Sequence, residues 1–186
     1  MSDYNEYEEY EEGNFLERSV NFVIAPRSLM EKEPEILWPL IALFLVVSFH
    51  TIVKEETSLI VVISACIFIF LIALGLAFLL FVINKMFSGE MSYKEAFWIM
   101  LIMLVMQSIG GLLGAIAGKV SGTEYLVTVF QTPFRLWSYY VGAVLIEESS
   151  CLEIWKCILI MVLAMLVIPV SIAFVIIDWG FSSGIF

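Results

Sequence analysis

The side chains able to do chemistry are few and scattered. His50 is the single histidine, with no acid or cysteine beside it in the sequence. A metal centre needs several converging ligands, and the spacing HExxH is absent. His50 therefore reads as an interfacial histidine, with a ligand or proton-relay role as the sharper alternative. Cys66, Cys151 and Cys157 form no CxxC pair, and three cysteines are too few for a disulfide framework. Cys66 reads as a core filler, and Cys151 and Cys157 as candidates for palmitoylation near the cytoplasmic face. The adjoining acids Glu147 and Glu148 would need a basic or imidazole partner for acid–base work. An EExxxR arrangement places its arginine where Leu152 stands, and no histidine follows. The pair reads as a polar loop. Ser48, Ser64, Ser108 and Ser171 lie in apolar runs without a GxSxG elbow or a base. The expectation is a non-enzyme that holds no cofactor and no metal.

A second pattern concerns packing. Gly110, Gly114 and Gly118 recur every fourth residue, with Gly111 and Ala115 on the adjoining strip. Such a glycine zipper lets another backbone approach closely, which favours helix association in a bilayer. Gly75, flanked by Ala73 and Ala77, is a candidate for the matching surface. The zipper serves either packing within the chain or contact with a partner or a second copy. Gln107 and Ser108 stand in the middle of the same apolar run, and Arg135 in the next. Those three suggest the alternative function, a small-solute permease or transporter subunit with a polar path.

The elements that position these residues follow from composition. Of 186 residues, 61% are apolar and 15% charged, with a mean hydropathy of +0.98. A soluble domain runs about 45–50% apolar and about 25% charged. A chain this small has too little interior for the excess, so lipid must solvate much of it. A net charge of −10 excludes a nucleic-acid partner, which calls for a basic surface.

Uncharged runs of about 20 residues are the mark of a membrane-crossing helix. The predicted architecture is an all-α integral membrane protein, a five-helix transmembrane bundle over 37–186. Its spans are Leu37–Val53, Leu59–Ile83, Ala96–Ala117, Tyr125–Ile146 and Cys157–Ile177. The fourth carries Gln131, Pro133 and Arg135 in its first half. Its opening turns are expected near the interface with Arg135 snorkelling, a broken or half-inserted helix being the alternative.

Five spans place the chain ends on opposite sides. Arg18, Arg27, Lys32, Lys85, Lys94 and Lys156 fall on one side, against Lys54, Lys119 and Arg135 at most on the other. The positive-inside rule then makes the N-terminus cytoplasmic and the C-terminus external or lumenal. Residues 1–13 are acidic and tyrosine-rich, with no aliphatic side chain to bury between Asp3 and Glu12. They read as a solvated, disordered tail. Over 14–36, Phe15, Leu16, Val20, Phe22 and Val23 recur at helical spacing before Pro26. This is a short amphipathic helix lying either at the membrane interface or on the cytoplasmic ends of the bundle.

Several landmarks together resemble the Ypt-interacting-protein (YIP) family of five-span membrane proteins. Ala25-Pro26-Arg27-Ser28-Leu29-Met30 leads through Pro34 to a first span opening Leu37-Trp38-Pro39-Leu40. Gly89-Glu90-Met91-Ser92-Tyr93-Lys94-Glu95-Ala96 is similar to the family's entry to span three. Trp137-Ser138-Tyr139-Tyr140 with Gly142 is similar to its fourth span, and Cys151 to Lys156 to the turn before its fifth. The likeness covers residues 14–180. It implies a cytoplasmic N-terminus and, in eukaryotic members, association with Rab-type GTPases in vesicle traffic and organelle shape. It carries over no catalytic residue. The function expected is a polytopic membrane scaffold or adaptor, whose partners are bilayer lipid and a membrane protein or a second copy.

Overall fold

The computed structural model describes residues 35–54, 59–123 and 125–167. The acidic tail, the amphipathic segment up to residue 34 and the chain after residue 167, with Pro169, Ser171 and the rest of the predicted fifth span, lie outside the described residues. Within them the chain is all-helical. The helices are α1 (Leu37–Lys54), α2 (Leu59–Met86), α3 (Tyr93–Ser121), α4 (Tyr125–Ser150) and α5 (Ile154–Val162), and α5 runs into a π-helical turn at Leu163–Val167. Two of them, α2 and α3, are long and apolar enough to cross a membrane.

The centre of the fold is α3. Every residue from Ala96 to Met106 is buried, and only a helix apolar all round can occupy such a place. Around it pack α1, α2 and α4, while α5 and its π turn bridge α4 and α2. The inward stripe of α2 is Ala73, Ala77, Leu80, Ile83 and Asn84, whose steps of three and four keep one face toward α3. Aromatic edges link three helices in a chain. Phe44 of α1 meets Phe70 of α2 at 6.3 Å between ring centroids, Phe70 meets Phe97 of α3 at 6.1 Å, and Tyr93 meets Phe81 at 6.1 Å.

Local chemistry sets the helix ends. Ser92 opens α3 with a capping box, its hydroxyl accepting from Glu95 N–H while the Glu95 carboxylate accepts from Ser92 N–H at 2.6 Å. Gly122 closes it in the left-handed region, φ 70°, with its N–H donated to Gly118 C=O. These caps carry α3 beyond the predicted Ala96–Ala117 at both ends, because the uncharged run ends before the helix does. Pro39 sits in the first turn of α1, where no intrahelical N–H bond is lost. The loop from α2 to α3 is held by Gly89 N–H to Asn84 C=O (2.9 Å), Lys85 Nζ to Gly89 C=O (3.2 Å) and Glu90 N–H to Ser150 C=O (3.3 Å).

The fourth helix is continuous over the expected Tyr125–Ile146 rather than broken, since α4 runs 26 residues through Pro133. Pro133 lies exposed, so its ring faces away from the packed side. Glu147 and Glu148 stand in the last turns of that helix rather than in a loop. The fifth helix begins at Ile154, three residues before the predicted Cys157.

Candidate functional site: the glycine seam and its polar strip

The α3 glycines lie against α4. A Cβ built on Gly114 would stand 2.8 Å from the Val127 carbonyl oxygen and 2.9 Å from Val127 Cα. On Gly110 it would stand 2.6 Å from Phe134 Cβ, and on Gly118 3.1 Å from Val127 Cγ2. Backbone meets backbone at Gly114, which only a residue without a side chain allows. The short connection through Gly122 and Thr123 makes α3 and α4 antiparallel neighbours, and the seam draws them together near that turn.

The matching surface is therefore α4, and not the Gly75 surface of α2. Gly75 is exposed, with no atom within 4 Å of where its Cβ would be. Ala73 and Ala77 are buried, on the opposite face from Gly75, since two residues turn a helix through about 200°. Small residues on α2 thus serve its approach to the core separately from the zipper.

Beside the seam runs a strip of polar side chains. Gln107 Nε2 donates to Ser138 Oγ at 3.0 Å, and Ser138 Oγ donates to Arg135 C=O at 2.8 Å. Ser138 is fully buried, so its hydroxyl is satisfied on both sides, as a buried polar group requires. Four residues along α3 from Gln107, Gly111 opens a notch. A Cβ there would lie 3.3 Å from His50 Cε1, 3.6 Å from His50 Nδ1 and 3.4 Å from Gln131 Nε2. An imidazole from α1 and a carboxamide from α4 thus converge on one glycine. Gln131 Oε1 in turn accepts from Arg135 Nη2 at 3.2 Å.

His50 belongs to this strip and packs inside the bundle, half-buried. Arg135 is exposed on the outer surface of α4, so it lies at the margin of any inner path, and Ser108 is half-buried. Among the described residues no group of three or more His, Cys, Asp or Glu side chains is arranged to hold a metal ion. Cys66 lies against α1, with Sγ 3.6 Å from Ser48 Oγ. Cys157 is fully buried and Cys151 exposed, so only Cys151 has the access that acylation demands.

Two buried polar groups escaped the sequence reading. Asn84 is completely buried, and neither its Oδ1 nor its Nδ2 has a hydrogen-bond partner; the same holds for Trp98 Nε1. A Cβ on Gly89 would overlap the Asn84 carboxamide, so that glycine makes room for it. A signal for Asn84 existed: it is the first polar side chain after the uncharged run of α2. On α4, Gly142 accommodates Met103 Sδ at 2.5 Å and Met161 Cε at 2.9 Å from its would-be Cβ, both ends of flexible side chains. No protein-family model, no curated protein and no solved structure matches this chain.

Proposed function

We propose that the chain is a five-span integral membrane protein that works without catalysis, as a scaffold or adaptor for other membrane components. Its N-terminus is cytoplasmic and its C-terminus external or lumenal. The observation that carries this reading is the outward band of large apolar side chains on α1 and α2. On α1, Leu37, Ile41, Leu45, Phe49 and Ile52 are exposed, at steps that keep one face of a helix. On α2, exposed Ile60, Ile63, Ile67, Phe68 and Leu71 cover the first half, and no residue from Leu59 to Ile72 is buried. Water does not tolerate so continuous a band, whereas lipid or another apolar helix does. The glycine seam is occupied by α4, so α1 and α2 offer the free surface for a partner helix or a second copy. The likeness of residues 14–180 to the YIP family and the distribution of basic residues support the same placement.

In-membrane photocrosslinking from Leu45 and Phe68, with the buried Leu101 as an interior control, tests the reading. A discrete protein adduct from the band and none from the control is expected. Lipid adducts alone, at every band position, would sink the adaptor role.

A second reading, a small-solute permease, is favoured by the polar strip of His50, Gln131, Gln107 and Ser138. Polar side chains at depth between helices mark solute and proton pathways in many membrane proteins. If it holds, the full chain in proteoliposomes passes small polar solutes and Gln107→Leu abolishes the flux. Absence of flux across a broad solute panel removes it.

A further inference from the structure

We infer that the outer face of the α4–α5 hairpin is a binding site for one anionic phospholipid, its phosphate on Arg135 and an acyl chain in the groove below. The inference goes beyond the adaptor reading and rests only on its placement of the helices in a bilayer. Arg135 stands ten residues into α4, about 15 Å from the start of the helix at 1.5 Å per residue. Its guanidinium reaches back toward that start, bonded to Gln131 Oε1 one turn above, as long side chains on helices do. It is exposed, and Gln131 supplies the one side-chain hydrogen bond it makes among the described residues. Lys156 pairs with Glu153 far along the chain from Arg135. A cation at membrane depth needs a counter-charge, and the described residues of this chain supply none to Arg135.

The surface below it has the complementary character. Tyr139 and Ala143 follow Arg135 at four-residue steps, and both line a groove of about 350 Å³ between α4 and α5. The other walls are Tyr140, Ile154, Ile158, Met161, Val162 and Met165. From Ile154 to Met165 the groove follows α5 for about 16 Å, enough to bed much of an acyl chain. The π-helical turn that carries Met165 is a backbone irregularity of the kind found beside functional sites. Cation above and apolar trough below is the order of a phospholipid, with phosphate first and hydrocarbon after. A soluble anion would leave the trough empty, and an apolar helix would leave Arg135 without a counter-charge. Guanidinium pairs with phosphate through a planar fork of donors.

The full-length chain in nanodiscs of phosphatidylcholine with a minor fraction of phosphatidylglycerol is the material for the test. Native mass spectrometry on the released protein counts retained phosphatidylglycerol. One retained molecule per chain is expected. Arg135→Gln should lower retention about tenfold, the loss of a charged hydrogen bond, while Arg135→Lys keeps much of it. Ile158→Trp, a substitution at an exposed groove position that fills the trough, should lower retention with Arg135 intact. Unchanged retention in both Arg135→Gln and Ile158→Trp overturns the site. So does a photoreactive residue at Tyr139 that captures protein and no lipid, which would make the occupant a partner's carboxylate-bearing helix. Cysteine accessibility of the Gly89 and Gly122 loops reports insertion separately. Inserted chain that holds no phosphatidylglycerol overturns the lipid site alone, whereas chain that does not insert overturns the membrane placement with it.

Discussion

Gly114→Leu will break the α3–α4 pairing. A Cβ at this position meets the carbonyl and Cα of Val127, and backbone cannot rotate aside as a side chain can. Overpacking a tight site costs about 1–3 kcal/mol when side chains can yield, so a leucine against backbone lies at or beyond the top of that range. The effect should be graded along the stripe. Gly110 meets Phe134 at its Cβ, close to the main chain, and Gly110→Leu should rank second. Gly118 meets Val127 Cγ2 at 3.1 Å and the Thr123 carbonyl oxygen at 3.6 Å, an ordinary van der Waals contact, and Gly75 meets nothing within 4 Å; Gly118→Leu should be mild and Gly75→Leu neutral. The readout is trapping by a short flexible bis-thiosulfonate crosslinker between cysteines at Gln107 and Ser138, whose side chains are hydrogen-bonded, with Cys66, Cys151 and Cys157 replaced. Trapping should be efficient in the parent and fall several-fold with Gly114→Leu. Equal trapping in all four variants would mean that the seam does not hold the helices together.

Asn84→Leu should stabilise the protein. Both polar atoms of the side chain are buried without partners, and a buried group in that condition costs about 1–3 kcal/mol. Leucine has nearly the same branched shape, so the exchange removes the desolvation penalty without opening a cavity or crowding Gly89. A higher thermal midpoint in detergent is expected. A lower midpoint would show that the carboxamide is held by a bound water or ligand whose loss outweighs the gain. Gly89→Ala serves as the opposite control, since its Cβ would overlap the Asn84 carboxamide. It should lower the midpoint in the parent.

Much of the secondary structure is legible in the chain itself. Long uncharged runs such as 59–83 and 96–117 have few conformational solutions when no water reaches the backbone, and the helix is the local one. The capping signals Ser92, Glu95 and Gly122 are equally local, and they end α3 within a few residues of the uncharged run. Pro133 makes a broken helix the alternative for the fourth span, yet a proline on the outer face of a helix leaves the packed side intact and α4 passes through it. The acids at 147 and 148 did mislead, because a helix that has left the apolar run can continue as long as its backbone bonds are met.

The glycine spacing divides the two levels most clearly. Residues 110, 114 and 118 by themselves determined that one face of α3 admits a close backbone, because absence of a Cβ is a property of the residue. Which backbone arrives is not, since a bare stripe accepts α2 or α4 alike. The tertiary structure chose α4, where Val127 and Phe134 meet the glycines, and left Gly75 facing outward. The polar strip depends on that choice. Gln107 and Ser138 are 31 residues apart in sequence and His50 comes from a third helix, so their convergence exists only once the seam has set the register of α4 against α3.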